Sequence, residues 1–266
     1  MTLTYLAALV LIAVSLSILM TGAWLLQQRT GNSGWVDTIW TFALGFVGAA
    51  SALWPIEGTA PNARQWLVAA LVTLWSLRLG LHIAIRTAGI TDDPRYATFA
   101  EEWGIDAPRR MFVFLQNQAL GTIPLAFAIF VAARVPSDAL RPQDYVGVLI
   151  LLIGIAGEAQ ADAELKRFRQ DPANKGRVCD IGLWRWSRHP NYFFEWFGWL
   201  AYPVIGLSFD YPWGLATLLA PVFMYWILVH VTGIPPLEKQ MLRSRGDRYR
   251  DYQSRTSRFF PLPPHA

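Results

Sequence analysis

"LTYLAALVLIAVSLSILMTGAWLL", residues 3–26, contains no charged side chain. Wound as an α-helix it is about 36 Å long, more than the ~30 Å hydrocarbon core of a bilayer. A stretch apolar all round is buried in lipid or in a large core, not laid along the wall of a small soluble domain. It is too long, and too weakly followed by small-residue cleavage signals, for a secretory leader, so it is read as a retained span. Comparable windows recur near 35–54, 65–85, 111–133, 143–163, 190–209 and 212–232. The expected fold class is therefore all-α: a polytopic membrane helix bundle of about seven transmembrane helices, forming one domain over residues 1–266.

Composition agrees. Of 266 residues 53% are hydrophobic and 16% charged, against about 25% charged in soluble domains. The mean hydropathy is +0.27. Thirteen tryptophans and nine tyrosines fit aromatic belts at two membrane interfaces.

The basic residues orient the bundle. With the amino terminus outside, segments 27–34, 86–110, 164–189 and 233–266 face inward and hold 1, 4, 7 and 7 Lys/Arg, which is 19 of the 23. The outward segments hold Arg64, Arg134 and Arg141, and Arg78 lies within a span. Positive charge collects on the cytoplasmic side, so the carboxyl terminus is expected there; for a bacterial chain the membrane would be the inner one. The same charge attracts anionic headgroups. No nucleic-acid recognition motif accompanies it.

Several chemistries are disfavoured. Cys179 is alone, and the four histidines stand at 82, 189, 230 and 265, so neither a disulfide nor a zinc site is expected. No glycine-rich dinucleotide fingerprint or P-loop is present. Matching inverted repeats, expected of many transporters, are absent too.

The outward connections are short, whereas the inward stretches 86–110 and 164–189 are long. Loops of that length are usually functional or disordered, and their aromatic residues argue for order. Together with the tail, which reads as an amphipathic helix ending near Pro261, they would form a cytoplasmic cap.

Ionisable residues inside spans are costly and mark cavities or partners. Asp37 lies at the start of the second span. Arg78 lies in the middle of the third, with His82 one turn on. The two could pair, or form the polar floor of a substrate pocket. Gln116, Asn117 and Gln118 open the fourth span, and three consecutive amides cannot all face one way. In "GEAQADAELKRFRQDP" (157–172), Glu158, Asp162, Leu165, Lys166 and Arg169 climb one helical flank. These are either solvated ion pairs or a carboxylate and guanidinium offered to a ligand.

In "GLWRWSRHPNYFFEWFGWLAYPV", 182–204, Pro190 suits the first turn of a helix. That helix start favours an anion, with Arg185, Arg188 and His189 before it. Asn191, Glu195 and Trp199 share one face at intervals of four. Physics gives a doorway suited to an anionic ligand carrying aromatic and hydroxyl groups.

This stretch, with "EKQMLRSRGDRYRDYQSRTSRFFP" (238–261), "DPRYATFAEEWG" (93–104) and "VDTIW" (36–40), resembles the steroid 5-alpha-reductase-like membrane proteins. The likeness is to their bacterial branch of unknown function, DUF1295, and is strongest over 158–262. Sterol reductases and isoprenylcysteine carboxyl methyltransferases are wider kin. The resemblance implies an NADPH-dependent reductase of a C=C bond in a lipophilic, steroid- or isoprenoid-like enone, an oxidoreductase acting on CH–CH groups. It implies cofactor contacts at Asp162, Arg169, Trp184, Asn191, Glu195 and Tyr252, with Tyr249 nearby and phosphates among Arg169, Arg185 and Arg188. The methyltransferase kin place an apolar residue where Asn191 stands, so Asn191 favours NADPH over S-adenosylmethionine, the alternative cofactor.

The family's keto-polarising groups are not matched. Asp37 is the nearest carboxylate, Trp75 stands at the tyrosine position, and Arg78 matches a polar position beyond it. The expected mechanism has the substrate entering from the bilayer, among membrane lipids, beside Trp75, Arg78 and Gln116. Hydride passes to the beta carbon, and Asp37 or a water protonates the enolate.

Overall fold

The computed structural model describes residues 2–55, 59–137 and 139–264. Residues 56–58 and 138, in two of the short connections, and His265 lie outside them. Among the described residues every regular element is helical. Six helical stretches are long and apolar enough to cross a membrane: Leu3–Thr30, Gly34–Leu53, Ala63–Ala88, Glu101–Ala132, Pro142–Gln170 and Pro212–Arg245. These are the spans of a multi-pass membrane protein.

In chain order the helices are α1 (Thr2–Thr30), α2 (Gly34–Leu53), α3 (Ala63–Ala88), α4 (Pro94–Trp103), α5 (Ala107–Ala132), α6 (Pro142–Gln170), α7 (Pro190–Trp199), α8 (Ala201–Gly206), α9 (Leu219–Trp226), α10 (Ile234–Arg245) and α11 (Asp247–Arg255). Local chemistry sets several ends. Asn62 and Gln65 form a reciprocal capping box that starts α3, each side chain accepting the other's backbone N–H at 3.0 Å. Pro190 opens α7 as its first residue. The window 190–209, expected as one span, is instead the broken pair α7–α8. Pro203 has no N–H to give the carbonyl of Trp199, so the ladder fails there and the chain turns at Leu200.

The last span is also irregular. A 3₁₀ turn at Pro212–Leu218 leads into α9, and a π-helix at Ile227–Val231 precedes α10. Pro235 and Pro236 withhold donors from the carbonyls four residues back. The wider turn is closed by Thr232 N–H on the Ile227 carbonyl at 3.0 Å.

Contacts divide the chain into two compact units: Met1–Gly147 with Tyr202–Ala220, and Val148–Ala201 with Pro221–Ala266. In the first, α1, α2, α3 and α5 pack around fully buried Leu44, Val72, Leu115, Ile129 and Phe130. One end is fastened by Arg64, which is 1% exposed. It grips Asp144 at 2.9 Å and the carbonyls of Val135, Ser137 and Ala139 at 2.7–3.0 Å. At the other end Asn32 Nδ2 donates to the carbonyls of Thr87 and Ile90, and Asp92 accepts the Ser33 N–H at 2.7 Å. The connections thus gather alternately at two ends.

In the second unit α6 and α7 cross closely. A Cβ on Gly154 would come within 2.8 Å of the Gly198 Cα, so neither side chain nor backbone has room to yield. Phe193, Trp196, Tyr225, Phe259 and Phe260 form an edge-to-face cluster that seats the tail.

Candidate functional site

The second unit brings together most of the residues that the resemblance implies for a cofactor. Asn191 Nδ2, in the first turn of α7, donates to Asp162 Oδ1 on α6 at 3.3 Å. Trp184 is buried, and its indole N–H donates to the Ala161 carbonyl at 2.9 Å, which holds the turn Gly182–Arg185 along α6. Gly182, at φ +56°, lets that turn pass over the Glu164 carboxylate, which accepts the Leu183 N–H at 2.8 Å. Arg169 and Arg185 are exposed at this end of α6.

A tail clamp fixes the same turn. The Tyr252 hydroxyl donates to the carbonyls of Trp184 and Ser187. Arg188 donates through Nε to Glu238 at 2.7 Å, and through Nη1 to the carbonyls of Gln253 and Thr256 at 3.1 and 2.6 Å. Glu238 also receives the Tyr249 hydroxyl at 3.3 Å, the Gln253 amide at 3.1 Å and lies 3.2 Å from His189 Nε2. Burial lowers the His189 pKa below its ordinary value, although Glu238 pulls the other way. Burial likewise raises the phenols of Tyr249 and Tyr252, so both stay protonated hydrogen-bond donors. Glu195 is buried one turn below Asn191 and accepts the Trp199 indole N–H at 2.9 Å.

The first unit holds a separate polar cluster. The Tyr96 hydroxyl, on α4, donates to Asp37 Oδ1 on α2 at 2.8 Å, and Gln118 Nε2 on α5 reaches the same hydroxyl at 3.4 Å. Trp40 donates to Thr122 at 2.7 Å and packs edge-on against buried Trp75, 6.4 Å between rings. Arg78 is half-buried on α3, one turn beyond Trp75. Gln116 faces elsewhere: it exchanges hydrogen bonds with Ser17 and Thr21 and ties α5 to α1. Of the three amides, one joins helices, Asn117 is exposed, and Gln118 enters the polar cluster.

The chain matches the family model described as a protein of unknown function, DUF1295, over residues 23–256. It belongs to the DUF1295 family. It is also 26% identical to the uncharacterized protein C594.04c of Schizosaccharomyces pombe, over 89% of this chain and 78% of that protein. No solved structure matches it.

Within this DUF1295 chain, sequence reasoning missed Tyr96 and Glu238. Tyr96 sits in a loop-borne helix, in the very "DPRYATF" stretch that carries part of the family likeness. Glu238 stands in the amphipathic tail segment, where one more charged residue is inconspicuous. Only the fold shows that it gathers Arg188, His189, Tyr249 and Gln253.

Proposed function

We propose that this DUF1295 protein is a membrane-embedded, NADPH-dependent reductase of a C=C bond in a lipophilic enone, related to the steroid 5-alpha-reductase-like proteins. The observation that carries the reading is the Asn191–Asp162 amide–carboxylate pair, with the exposed guanidinium groups of Arg169 and Arg185 on the adjoining segments. NADPH offers an amide, ribose hydroxyls and several phosphate charges, and this donor set suits all three. Arginine forks in particular suit phosphate. S-adenosylmethionine carries no phosphate for an arginine fork to bind.

Asn191 and Asp162 would hold the amide and hydroxyl groups of the cofactor, and Arg169 and Arg185 its phosphates. Arg188 is a positioning residue, because Glu238 and two carbonyls already engage its guanidinium. Tyr252 and Trp184 keep the turn in place. When bound, the cofactor supplies a hydride to the electron-poor carbon of the substrate.

The proton must come from the protein or a water. The Tyr96 hydroxyl donates to Asp37, so the pair offers a phenolic hydroxyl positioned by a carboxylate. We assign the acid role to Tyr96, with Asp37 orienting it. The orientation read from charge, amino terminus outside and carboxyl terminus cytoplasmic, puts the basic segments where NADPH is found.

The test is NADPH consumption by purified protein with a panel of lipophilic enones. Turnover that Asn191→Ala abolishes is the expected result. An enzyme that methylates a lipophilic acceptor from S-adenosylmethionine and never oxidises NADPH would overturn the reading.

A further inference from the structure

The start of α5 carries a feature that the reductase reading does not use. Arg109, Val113 and Asn117 form one ladder at four-residue spacing, and Arg110 with Phe114 forms a second beside it. Trp103, stacked on Phe99 with ring centres 5.4 Å apart, walls one side. The result is an open groove of about 450 Å³ that Asp106 also lines. Both arginines are exposed. Asp106 faces Arg110 at 3.9 Å with both side chains more than half open, 61% and 57%, so it offsets little of their charge. Among the described residues the groove therefore presents two cations and one loosely held anion.

The order of these groups along the helix matters. The cations stand where the apolar run begins, the apolar pair follows one turn later, and the Asn117 amide comes a turn beyond. Ile105, in the turn just before α5, is 98% exposed.

The geometry points to a bound anionic phospholipid: its phosphate on Arg109 and Arg110, and its glycerol ester region and upper acyl carbons along Val113 and Phe114. A neutral lipid lacks the net charge for the first contact. A soluble phosphate lacks the chain for the second. This site does not depend on the enzymatic reading.

The experiment titrates short-chain phosphatidylglycerol, phosphatidylcholine or glycerol phosphate into the detergent-solubilised full chain and follows its melting temperature. Phosphatidylglycerol alone should raise it. The Arg109→Gln/Arg110→Gln variant should need about tenfold more lipid or worse, from the loss of two surface cations. Val113→Trp, which fills the apolar section and leaves the charges, should weaken the response as well. Lys239→Gln/Arg243→Gln, two basic residues of α10, should leave it unchanged. The inference fails if phosphatidylcholine or glycerol phosphate acts equally well, if both groove variants respond like the parent, or if the groove arginines prove to hold two copies of the chain together.

Discussion

The Tyr96 hydroxyl donates to Asp37 at 2.8 Å, and the roles proposed for the two rest on that pairing. A carboxylate that accepts from a phenol fixes the position of its oxygen, and the hydroxyl must leave that bond to donate to a substrate carbonyl. Replacing the hydroxyl removes the acid and little of the packing. Tyr96→Phe should therefore lower enone reduction by about a hundredfold or more while NADPH binding persists. Steady-state rates set beside cofactor-binding melts check both halves. His189 gives a pH signature. Burial depresses its folded pKa below the unfolded value of about 6.5, so the unfolded chain binds the extra proton first. Stability is full above that value and is lost as pH falls through it toward the folded pKa. Melting temperatures measured across this range should fall on acidification, and His189→Gln should flatten the drop. Cys179 is similarly masked: burial pushes its thiol up to about 11, so alkylation at neutral pH should be slow in the folded protein and fast once it is unfolded. At this scale the sequence pointed to Asp37, Asp162 and Asn191, because a polar side chain on an apolar helix is conspicuous. Tyr96 was not conspicuous, since a tyrosine in a loop-borne helix has no apolar background to stand against.

Two element contacts carry the most mechanical weight. Arg64 and Asp144 are both fully buried and hold each other, and Arg64 also donates to the carbonyls of Val135, Ser137 and Ala139. Removing either partner strands the other charge, which costs about 3–5 kcal/mol. Arg64→Ala and Asp144→Ala should each show that loss in denaturant melts, and the double replacement should cost less than the two losses added together. At the α6–α7 crossing, Gly154→Leu drives a side chain into the Gly198 backbone. Overpacking of this kind costs about 1–3 kcal/mol. Because the crossing lies two turns from Asp162 and two from Asn191, the variant should also lose cofactor response out of proportion to its stability. Five helical windows were legible from hydropathy alone, and the last merged with the helix that follows it. The break between α7 and α8 was not, because a window average over 190–209 hides one proline whose missing N–H ends the ladder.

For the molecule as a whole, hydropathy and charge gave the all-α membrane architecture, and the contacts at the two ends of the first unit agree with alternating connections. What composition could not give is which polar groups are spoken for within the protein. Arg188 looked like a phosphate ligand beside Arg185, yet it is the anchor of the tail through Glu238, whereas Arg185 is exposed. The central claim is the proposal that Asn191, Asp162, Arg169 and Arg185 form a site for NADPH. The most direct measurement is the melting temperature of the purified protein with NADPH, NADH or S-adenosylmethionine in turn. A ligand at a hundred times its dissociation constant adds about 2.7 kcal/mol. The account predicts a rise with NADPH that Asn191→Ala removes and that Arg169→Gln/Arg185→Gln weakens. A rise with S-adenosylmethionine alone, or an NADPH response untouched by all three substitutions, would contradict it.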